Sequence, residues 1–445
     1  MDIFELLIII LLLISIIGVV IYHFKNKLIK YVLVVMSVIL VCVNYLNGGF
    51  KWWTFSIYIS LFFVVSILSY LFPKIKLPKP TGEYNVGKII EHYVDQSREE
   101  VFTKKSGDYR ELIIQMWYPT DMKITKNNQA PYHPNSSYFI EEISKFLNIP
   151  RFLLNSVDKI ETNSIKGARV SNKKNKYPVL LVSHAHGSST SLNSFQIEEL
   201  VSHGYIVVGI EHSYISSGII LNSGPIESQY SSSWEAIEDS VYTLSKDASF
   251  ILDQIEIINH DHKILKGKFD LDHVGYFGHS SGGASVANTL ALDDRFKAGI
   301  NMDGYPLGNA HEIGVEEPFM YMRAIGKNYL NMRKNLIAMG LDKKKADNIV
   351  TDRGKRMKDI PRGEGFVLEV NSAEHFDFSD VPLWSPVFSM VGFTGKIKPK
   401  KAHRIINAYT LAFFDTYLKG TKDTLLTNDD TSYKEAKLHK TFNDS

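Results

Sequence analysis

One short segment of the chain carries the residues best suited to covalent chemistry. Gly278, Ser280 and Gly282 match the pattern GxSxG, and the residues around them read as an apolar strand, a turn of small residues and a helix. In this pattern the serine lies on a strained turn, and the glycines let the strand and the helix approach closely. A chance match in a loop rich in glycine and serine is the alternative, but the strand-to-helix context favours Ser280 as a nucleophile.

A serine nucleophile needs a histidine to take its proton and a carboxylate to hold that histidine. In hydrolase sheets the order along the chain is serine, acid and histidine, each at the carboxyl end of a strand. Asp303 ends the apolar run 298–302 and precedes Gly304, so it is the expected acid, although an aspartate bonding its own turn is the alternative. His375 follows the predicted strand 366–370 and is the expected base.

Other residues compete for the roles of base and acid. Two more histidines, His311 and His403, follow the predicted acid in the chain, but neither stands at the exit of a predicted strand. Asp377 and Asp380 lie close to His375 in sequence and could pair with it locally. The sequence therefore leaves the acid less certain than the base.

Acyl transfer also requires two N–H groups that bind the developing oxyanion. The backbone N–H of Ser281, directly after the nucleophile, is one expected donor, and the N–H of His186 in the loop 183–190 is the other. His184 and His186 could alternatively share one face of a strand as metal ligands, but no third ligand lies nearby in sequence. The sequence thus predicts no metal and no cofactor.

The overall composition excludes several functional classes. The 445 residues include 50 Lys and Arg against 48 Asp and Glu, a formal net charge of +2, so nothing in the charge balance suggests a nucleic-acid partner. The one cysteine, Cys42, lies in an apolar run and cannot form an internal disulfide or a zinc site based on cysteines.

Three apolar runs at the amino terminus, residues 6–22, 31–46 and 52–72, each approach the length that crosses a bilayer. A buried core helix is the alternative for any one of them, but three in succession favour membrane spans. Lysines in the flanking segments place the amino terminus outside and the remainder of the chain in the cytoplasm by the positive-inside rule. The sequence therefore predicts a multi-pass cell-membrane protein whose membrane region covers residues 1–79.

The remainder of the chain predicts one soluble α/β domain, residues 80–420, with a mostly parallel sheet. The first two strands are expected to be antiparallel. Residues 324–361 interrupt the alternation with helical patterning, as a lid or as a solvated surface insertion. Residues 421–445 form a polar tail that is expected to be poorly ordered. Predicted strands cover residues 86–93, 111–117, 178–183, 205–210, 273–278, 296–302, 318–322 and 365–370, and predicted helices cover residues 138–147, 198–203, 234–259 and 404–418.

As a set, these motifs resemble those of the platelet-activating factor acetylhydrolase family. The chain resembles a bacterial-type, membrane-anchored member of that family. The similar stretches are GHSSGG at 278–283, SHAHG at 183–187, the strand 205–210 with EH at 211–212, DG at 303–304, HFDFSD at 375–380, RE at 98–99 and 110–111, and WYP at 117–119. They cover most of residues 80–419 in order. Two departures are Ala185, where the family usually has glycine, and a longer segment between the acid and the histidine.

The resemblance implies an α/β-hydrolase fold and a calcium-independent serine esterase that removes short acyl groups from the second position of phospholipids. Its expected partners are a phospholipid-like or small ester substrate and the membrane, and the oligomeric state stays open. A broad carboxylesterase similar to dienelactone hydrolases, an acyltransferase, and a non-catalytic membrane protein with a hydrolase fold are the alternatives.

Overall fold

The computed structural model of the chain describes residues 73–229, 234–338, 340–427 and 432–441, together with isolated positions between residues 35 and 71. Ile75–Trp384 and Phe388–Ser445 form one compact unit, which begins close to the predicted boundary at residue 80, and Met1–Lys74 groups with Ser385–Val387. Over the described positions, no helix is both long and apolar enough to cross a membrane. The predicted spans 6–22, 31–46 and 52–72 lie outside the described residues except at those isolated positions.

The large unit alternates strands with helices along the chain. The strands are β1 Asn85–Glu99, β2 Tyr109–Thr120, β3 Ser164–Lys166, β4 Tyr177–Ser183, β5 Ile206–His212, β6 Ile220–Leu221, β7 Gly224–Pro225, β8 Phe269–His279, β9 Phe296–Met302, β10 Phe319–Ile325, β11 Gly365–Asn371 and β12 Ala436–Thr441. The helices are α1 Ser136–Leu147, α2 Ser194–Ser202, α3 Trp234–Asp261, α4 Ser281–Leu290, α5 Ala310–Ile313, α6 Lys327–Leu330, α7 Met332–Ala338, α8 Lys343–Asp359, α9 Val381–Trp384, α10 Val387–Met390 and α11 Pro399–Lys419. Short 3-10 helices lie at Arg151–Leu154, Val157–Lys159, Thr190–Asn193, His375–Phe378 and Thr424–Leu426.

Ten strands form one sheet in the order β12-β11-β10-β9-β8-β4-β5-β2-β1-β3. The six strands from β11 to β5 are parallel to their neighbours, whereas β2 pairs with β5 in the antiparallel direction and β1 pairs with β2 in the same way. The mostly parallel α/β sheet and its antiparallel opening are therefore confirmed. The carboxyl ends of β8, β9 and β11 share one edge of this sheet, so residues that follow these strands can meet there.

The central strands are buried on both faces, as their continuous apolar runs predict. In β4, Val179 and Leu181 pack into one apolar cluster, while Leu180 and Val182 pack into the cluster on the other face. Side chains of α3 and α4 complete the first cluster, and side chains of α2 and α11 complete the second. This layering holds the central strand ends at fixed positions, because close-packed interiors allow little displacement.

The carboxyl-terminal segment differs from the prediction of a poorly ordered tail. Residues 436–441 form β12, which pairs in the antiparallel direction with β11 at the edge of the sheet. The sequence did not predict this strand because its composition is polar. An edge strand needs only one apolar contact face, and lysines such as Lys437 and Lys440 are typical of protected edges. Leu438 packs against the second core cluster from this position.

The segment between β10 and β11 folds into three helices, α6, α7 and α8, as its helical patterning predicts. Within it the structure describes all residues except 339. The segment is not wholly a solvated surface, since Ala346, Arg353 and Met357 of α8 are buried. The segment lies beside the sheet edge at which β9 ends, since Arg353 of α8 lies 3.6 Å from Asp303.

Candidate active site

Ser280 stands at the junction of β8 and α4 in a backbone conformation that few residues adopt. Its φ is 57° and its ψ is −122°, which is a strained combination for a residue with a side chain. Two hydrogen bonds hold this turn, one from the Ser280 N–H to the Met302 carbonyl and one from the Ala284 N–H to the Ser280 carbonyl, both at 2.9 Å. The junction therefore has the strand, turn and helix arrangement that the GxSxG pattern requires.

The two glycines of the pattern are explained by close backbone approach. A Cβ atom at Gly278 would lie 2.4 Å from the Gly282 carbonyl carbon, and a Cβ atom at Gly282 would lie 2.3 Å from the Ser183 carbonyl oxygen. Any side chain at either position would force the helix away from the strand, because real Cβ contacts are not this short. The same packing brings the start of α4 against the end of β4, where the predicted oxyanion loop begins.

Asp303 and His375 come together although 72 positions separate them in the chain. The Nδ1 of His375 donates to the Oδ2 of Asp303 at 2.8 Å, and the Ala324 N–H donates to Oδ1 at 3.1 Å. Burial alone would raise the pKa of the Asp303 carboxyl, but the His375 hydrogen bond and the nearby charges of His375 and Arg353 hold it below its usual value. The carboxylate is therefore ionised at neutral pH and can orient the imidazole.

The His375 loop also contacts the nucleophile turn. The Nε2 of His279, the residue before Ser280, donates to the His375 carbonyl at 2.9 Å, and the two imidazole rings lie 4.5 Å apart. Burial, together with the adjacent His375, lowers the pKa of His279 to about 3, so this ring is neutral and acts as a hydrogen-bond donor. Gly304 approaches the turn as well, since a Cβ there would be 2.2 Å from the Ser280 carbonyl oxygen.

The competing acids have other partners. Asp377 accepts from the backbone N–H of Glu374 and of Gly395, which closes the turn after β11. Asp380 accepts from the Tyr132 hydroxyl at 2.9 Å and from a backbone N–H of α2. Each therefore has a local structural role, and among the described residues the carboxylate that pairs with the His375 ring is that of Asp303, which follows β9.

The competing histidines are also occupied elsewhere. His403 is buried in α11, where its ring stacks on Phe195 at 3.8 Å and its Nε2 donates to the Ser379 carbonyl. His311 lies on the short helix α5, with Glu312 as its nearest acidic neighbour at 3.8 Å. Neither ring pairs with Asp303, so the geometry favours His375 as the base.

Hydrogen bonds to the segment after β5 hold the predicted oxyanion loop, residues 183–190, in place. The Gly187 N–H donates to the Ile215 carbonyl at 2.9 Å, and the Ser217 hydroxyl donates to the Gly187 carbonyl at 2.7 Å. Between these anchors, the His186 N–H donates to no acceptor in the described part of the protein. The N–H of Ser281 belongs to the first turn of α4, whose N–H groups have no carbonyl partner within a helix. Among the described residues, the N–H groups of both predicted donors therefore have no acceptor.

Glu211 of β5 holds this loop in place through hydrogen bonds. The sequence analysis assigned it no role. Its buried carboxylate accepts from Ser189 Oγ at 2.9 Å, Thr190 N–H at 3.0 Å and Gln115 Nε2 at 2.7 Å, and also from the hydroxyls of Thr190 and Ser216. Burial would raise the pKa of Glu211, but neighbouring imidazoles and these donors hold it below its usual value. A charged residue at the end of the buried strand β5 was the only available signal.

A second serine, histidine and aspartate also align. His212 bonds Ser183 Oγ through Nε2 and Asp247 Oδ2 through Nδ1, each at 2.8 Å. All three side chains are fully buried, and Arg110 pairs with Asp247 at 2.7 Å. Because Ser183 is fully buried, this group joins the sheet to α3 and is not a candidate for contact with a substrate.

The metal-site alternative at His184 and His186 is disfavoured by hydrogen bonding. The Nδ1 of His184 donates to the Ala185 carbonyl at 2.7 Å, and its Nε2 accepts from the His212 N–H. Both ring nitrogens of His184 are therefore used, whereas those of His186 are buried and have no hydrogen-bond partner among the described residues. Across the described ranges, no group of three or more His, Cys, Asp or Glu side chains is arranged to hold a metal ion.

Comparison with known proteins decides the family. The family described as platelet-activating factor acetylhydrolase, isoform II, matches residues 70–234 and 249–438. The chain belongs to the platelet-activating factor acetylhydrolase family. It is 26% identical over 379 residues to a platelet-activating factor acetylhydrolase of Cavia porcellus, covering 77% of this chain and 78% of the relative. It is 23% identical over 381 residues to a probable 1-alkyl-2-acetylglycerophosphocholine esterase of Arthroderma benhamiae, covering 81% and 92%.

A solved structure supports the fold. A ferulic acid esterase from Streptomyces cinnamoneus superposes with a TM-score of 0.64 at 24% identity, covering 82% of this chain and 99% of that one. Family membership and the curated relatives make the chain a carboxylic ester hydrolase of the serine type. The predicted family, the mostly parallel α/β hydrolase fold and the enzyme class are confirmed, whereas the membrane-anchored, bacterial-type detail stays a prediction.

Proposed function

We propose that Ser280, His375 and Asp303 form the catalytic triad of this esterase. The observation that carries the proposal is the 2.8 Å hydrogen bond between His375 and Asp303, which forms beside the strained turn of Ser280. Three different strand ends supply the three residues, in the chain order that hydrolases of this fold use.

In the proposed reaction, His375 takes the proton of the Ser280 hydroxyl as its Oγ bonds to the ester carbonyl carbon. The bond from that carbon to the alkoxy oxygen then breaks, and the alcohol leaves with the proton from the imidazolium. Water next attacks the acyl-enzyme with His375 as base, which releases the acid and restores the serine. Asp303 keeps the imidazole in the required tautomer and stabilises its charged form.

The N–H groups of Ser281 and His186 are proposed to bind the oxyanion of each tetrahedral intermediate. Fixed donors of this kind contribute several kcal/mol to transition-state stabilisation, on the order of 10²–10³-fold in rate for each donor. The anchors of the 183–190 loop on both sides of His186 support the role, since a preformed donor needs no reorganisation during the reaction.

The proposed substrate is a phospholipid or another lipophilic ester that carries a short acyl group. Relatives named as acetylhydrolase and as 1-alkyl-2-acetylglycerophosphocholine esterase support this class. The three apolar runs at residues 6–22, 31–46 and 52–72 are proposed to anchor the enzyme in the cell membrane, which would keep the site close to an amphipathic substrate.

A fluorophosphonate probe tests the proposed nucleophile. Folded full-length protein is expected to gain one phosphonyl group, and the labelled peptide is expected to contain Ser280, because only an activated serine attacks the probe. Heat-unfolded protein is the control and is expected to remain unlabelled. Absence of label on folded protein, or label on a different serine, would reject the assignment. Esters of graded chain length, as monomers and in vesicles, then define the acyl preference.

The side of the membrane is proposed to be cytoplasmic. Lys25, Lys27 and Lys30 lie between the first two apolar runs and Lys51 alone lies between the second and third, which favours an inside location for the first loop and for the segment after residue 72. Protease added to intact cells is expected to leave the hydrolase domain whole and to digest it after permeabilisation. Digestion in intact cells would place the domain outside.

A further inference from the structure

The helical segment between β10 and β11 contacts both the proposed acid and the loop of the proposed base. From α8, Arg353 places Nη2 3.6 Å from Oδ1 of Asp303. At the start of α6, the Asn328 N–H lies 3.1 Å from each carboxylate oxygen of Glu374, the residue before His375. One insertion thus contacts the proposed acid directly and also contacts the residue that precedes the proposed base.

Packing fixes the position of the Arg353 guanidinium. The side chain is only 9% exposed, and its guanidinium carbon lies 6.0 Å from the ring centre of Tyr305 and 5.5 Å from that of Tyr329. Nη1 contacts the Met332 sulfur at 3.7 Å. A guanidinium held between aromatic rings keeps its charge and loses little further freedom when it pairs with a carboxylate.

The two oxygens of Asp303 have separate partners. Oδ2 accepts from His375, whereas Oδ1 accepts from the Ala324 N–H and faces Arg353. Asp303 also has a φ of 52°, a left-handed value that is costly for an aspartate. The contacts at Oδ1 therefore oppose rotation of the carboxylate away from His375.

We propose that Arg353 is a positioning residue that fixes the orientation and the effective charge of Asp303. The helical segment α6 to α8 thereby stabilises the positions of the acid and of the loop that carries the base. This inference rests on the proposed triad. Because the guanidinium partly neutralises the carboxylate, it limits how strongly Asp303 stabilises the imidazolium form of His375.

Four groups set the electrostatic environment of the His375 ring. Asp303 faces it from the end of β9, and Arg353 acts through Asp303 from α8. His279 of β8 is uncharged near neutral pH because burial lowers its pKa to about 3. Glu374, on the same loop as the ring, is engaged by the backbone of α6. Removal of Arg353 thus changes the main external charge on the acid and base pair.

The test compares Arg353→Gln, Arg353→Lys and the control Arg356→Gln in the full-length protein, using a soluble chromogenic ester over a range of pH. Arg353→Gln is expected to lower kcat about tenfold with little change in KM, and to move the acidic limb of the kcat/KM profile upward by about half a pH unit to one unit. Arg353→Lys is expected to keep the limb in place, because it keeps the charge. It is expected to lose about threefold in kcat, because an ammonium cannot reproduce the packing of the guanidinium against Tyr305, Tyr329 and Met332.

Arg356 is a matched control because it lies on the same helix and pairs only with Asp352 among the described acids within 4 Å. Its variant is expected to match the wild type in both kcat and the pH profile. An Arg353→Gln enzyme with an altered melting temperature but an unchanged acidic limb would overturn the inference. If that variant does not fold, Arg353→Lys decides, and a kcat equal to that of the wild type would overturn it. A wild type that neither labels nor turns over would instead reject the proposed function itself.

Discussion

Ser280→Ala is expected to lower kcat for ester hydrolysis by about 10⁴-fold or more, with KM changed by no more than a few-fold. The substitution removes only the hydroxyl group, and the proposed route through an acyl-enzyme cannot begin without it. Substrate binding depends on the pocket and on the N–H donors, which the substitution leaves in place. The fold is expected to persist, because the hydrogen bonds of the turn involve only the backbone of Ser280.

Steady-state hydrolysis of a soluble acetyl ester measures this effect, and circular dichroism verifies the fold. Ser281→Ala is the matched control, since the Ser281 hydroxyl is buried and makes no hydrogen bond to any described part of the protein, while its N–H remains. That enzyme is expected to keep most of its activity. Hydrolysis by Ser280→Ala at a rate near that of the wild type would require a different nucleophile.

The free energy of unfolding is expected to fall steeply when the pH drops from about 6.5 to about 4. Burial lowers the pKa of His133, His184, His186 and His403 to about 4 and that of His279 to about 3. A group whose pKa is depressed in the folded state gives its full stabilisation above the unfolded pKa and loses it as the pH falls towards the folded value. Each such histidine removes about 1.4 kcal/mol per pH unit within that window.

Two buried carboxyls act in the opposite direction. Burial raises the pKa of Asp377 to about 6 and raises that of Asp380 well above its usual value. Such groups stabilise the fold below the unfolded pKa and lose that contribution as the pH rises, so they offset up to two of the five histidines. The net slope is expected to be about 4 kcal/mol per pH unit.

Denaturant unfolding at several pH values between 7 and 4 measures the slope. His403→Gln keeps a donor for the Ser379 carbonyl but cannot titrate, so it is expected to reduce the slope by about 1.4 kcal/mol per pH unit. His273→Gln is the control, because that side chain is 49% exposed, and it is expected to leave the slope unchanged. A stability that stays constant from pH 7 to 5 would contradict the neutral state of the buried histidines.

Local patterns predicted most of the sheet correctly. The apolar runs of β4, β5 and β9 are continuous because those strands are buried on both faces, and such runs are readable without any knowledge of neighbours. The edge strand β12 escaped the same reasoning. One of its faces is exposed to solvent, so its apolar content resembles that of a disordered tail.

The candidate site shows a similar division. Ser280 could be recognised from five residues, since the steric demand of the turn is met by its immediate neighbours Gly278 and Gly282. The sequence favoured Asp303 as the acid but left Asp377 and Asp380 open, because all three lie near a histidine or a strand end. Contacts across the sheet edge support Asp303, since its carboxylate reaches the imidazole while the others bond backbone or tyrosine groups.

The sequence by itself determined the enzyme class, the order of the catalytic candidates and the parallel core, because each depends on residues that are adjacent or periodic in the chain. Only the tertiary structure decided that Glu211 supports the loop 183–190, that Ser183 and His212 are buried in the interior, and that Arg353 lies beside Asp303. Those pairings join residues far apart in the chain. Their partners are set by how the packed layers bring strand ends and helices together, which no local pattern encodes.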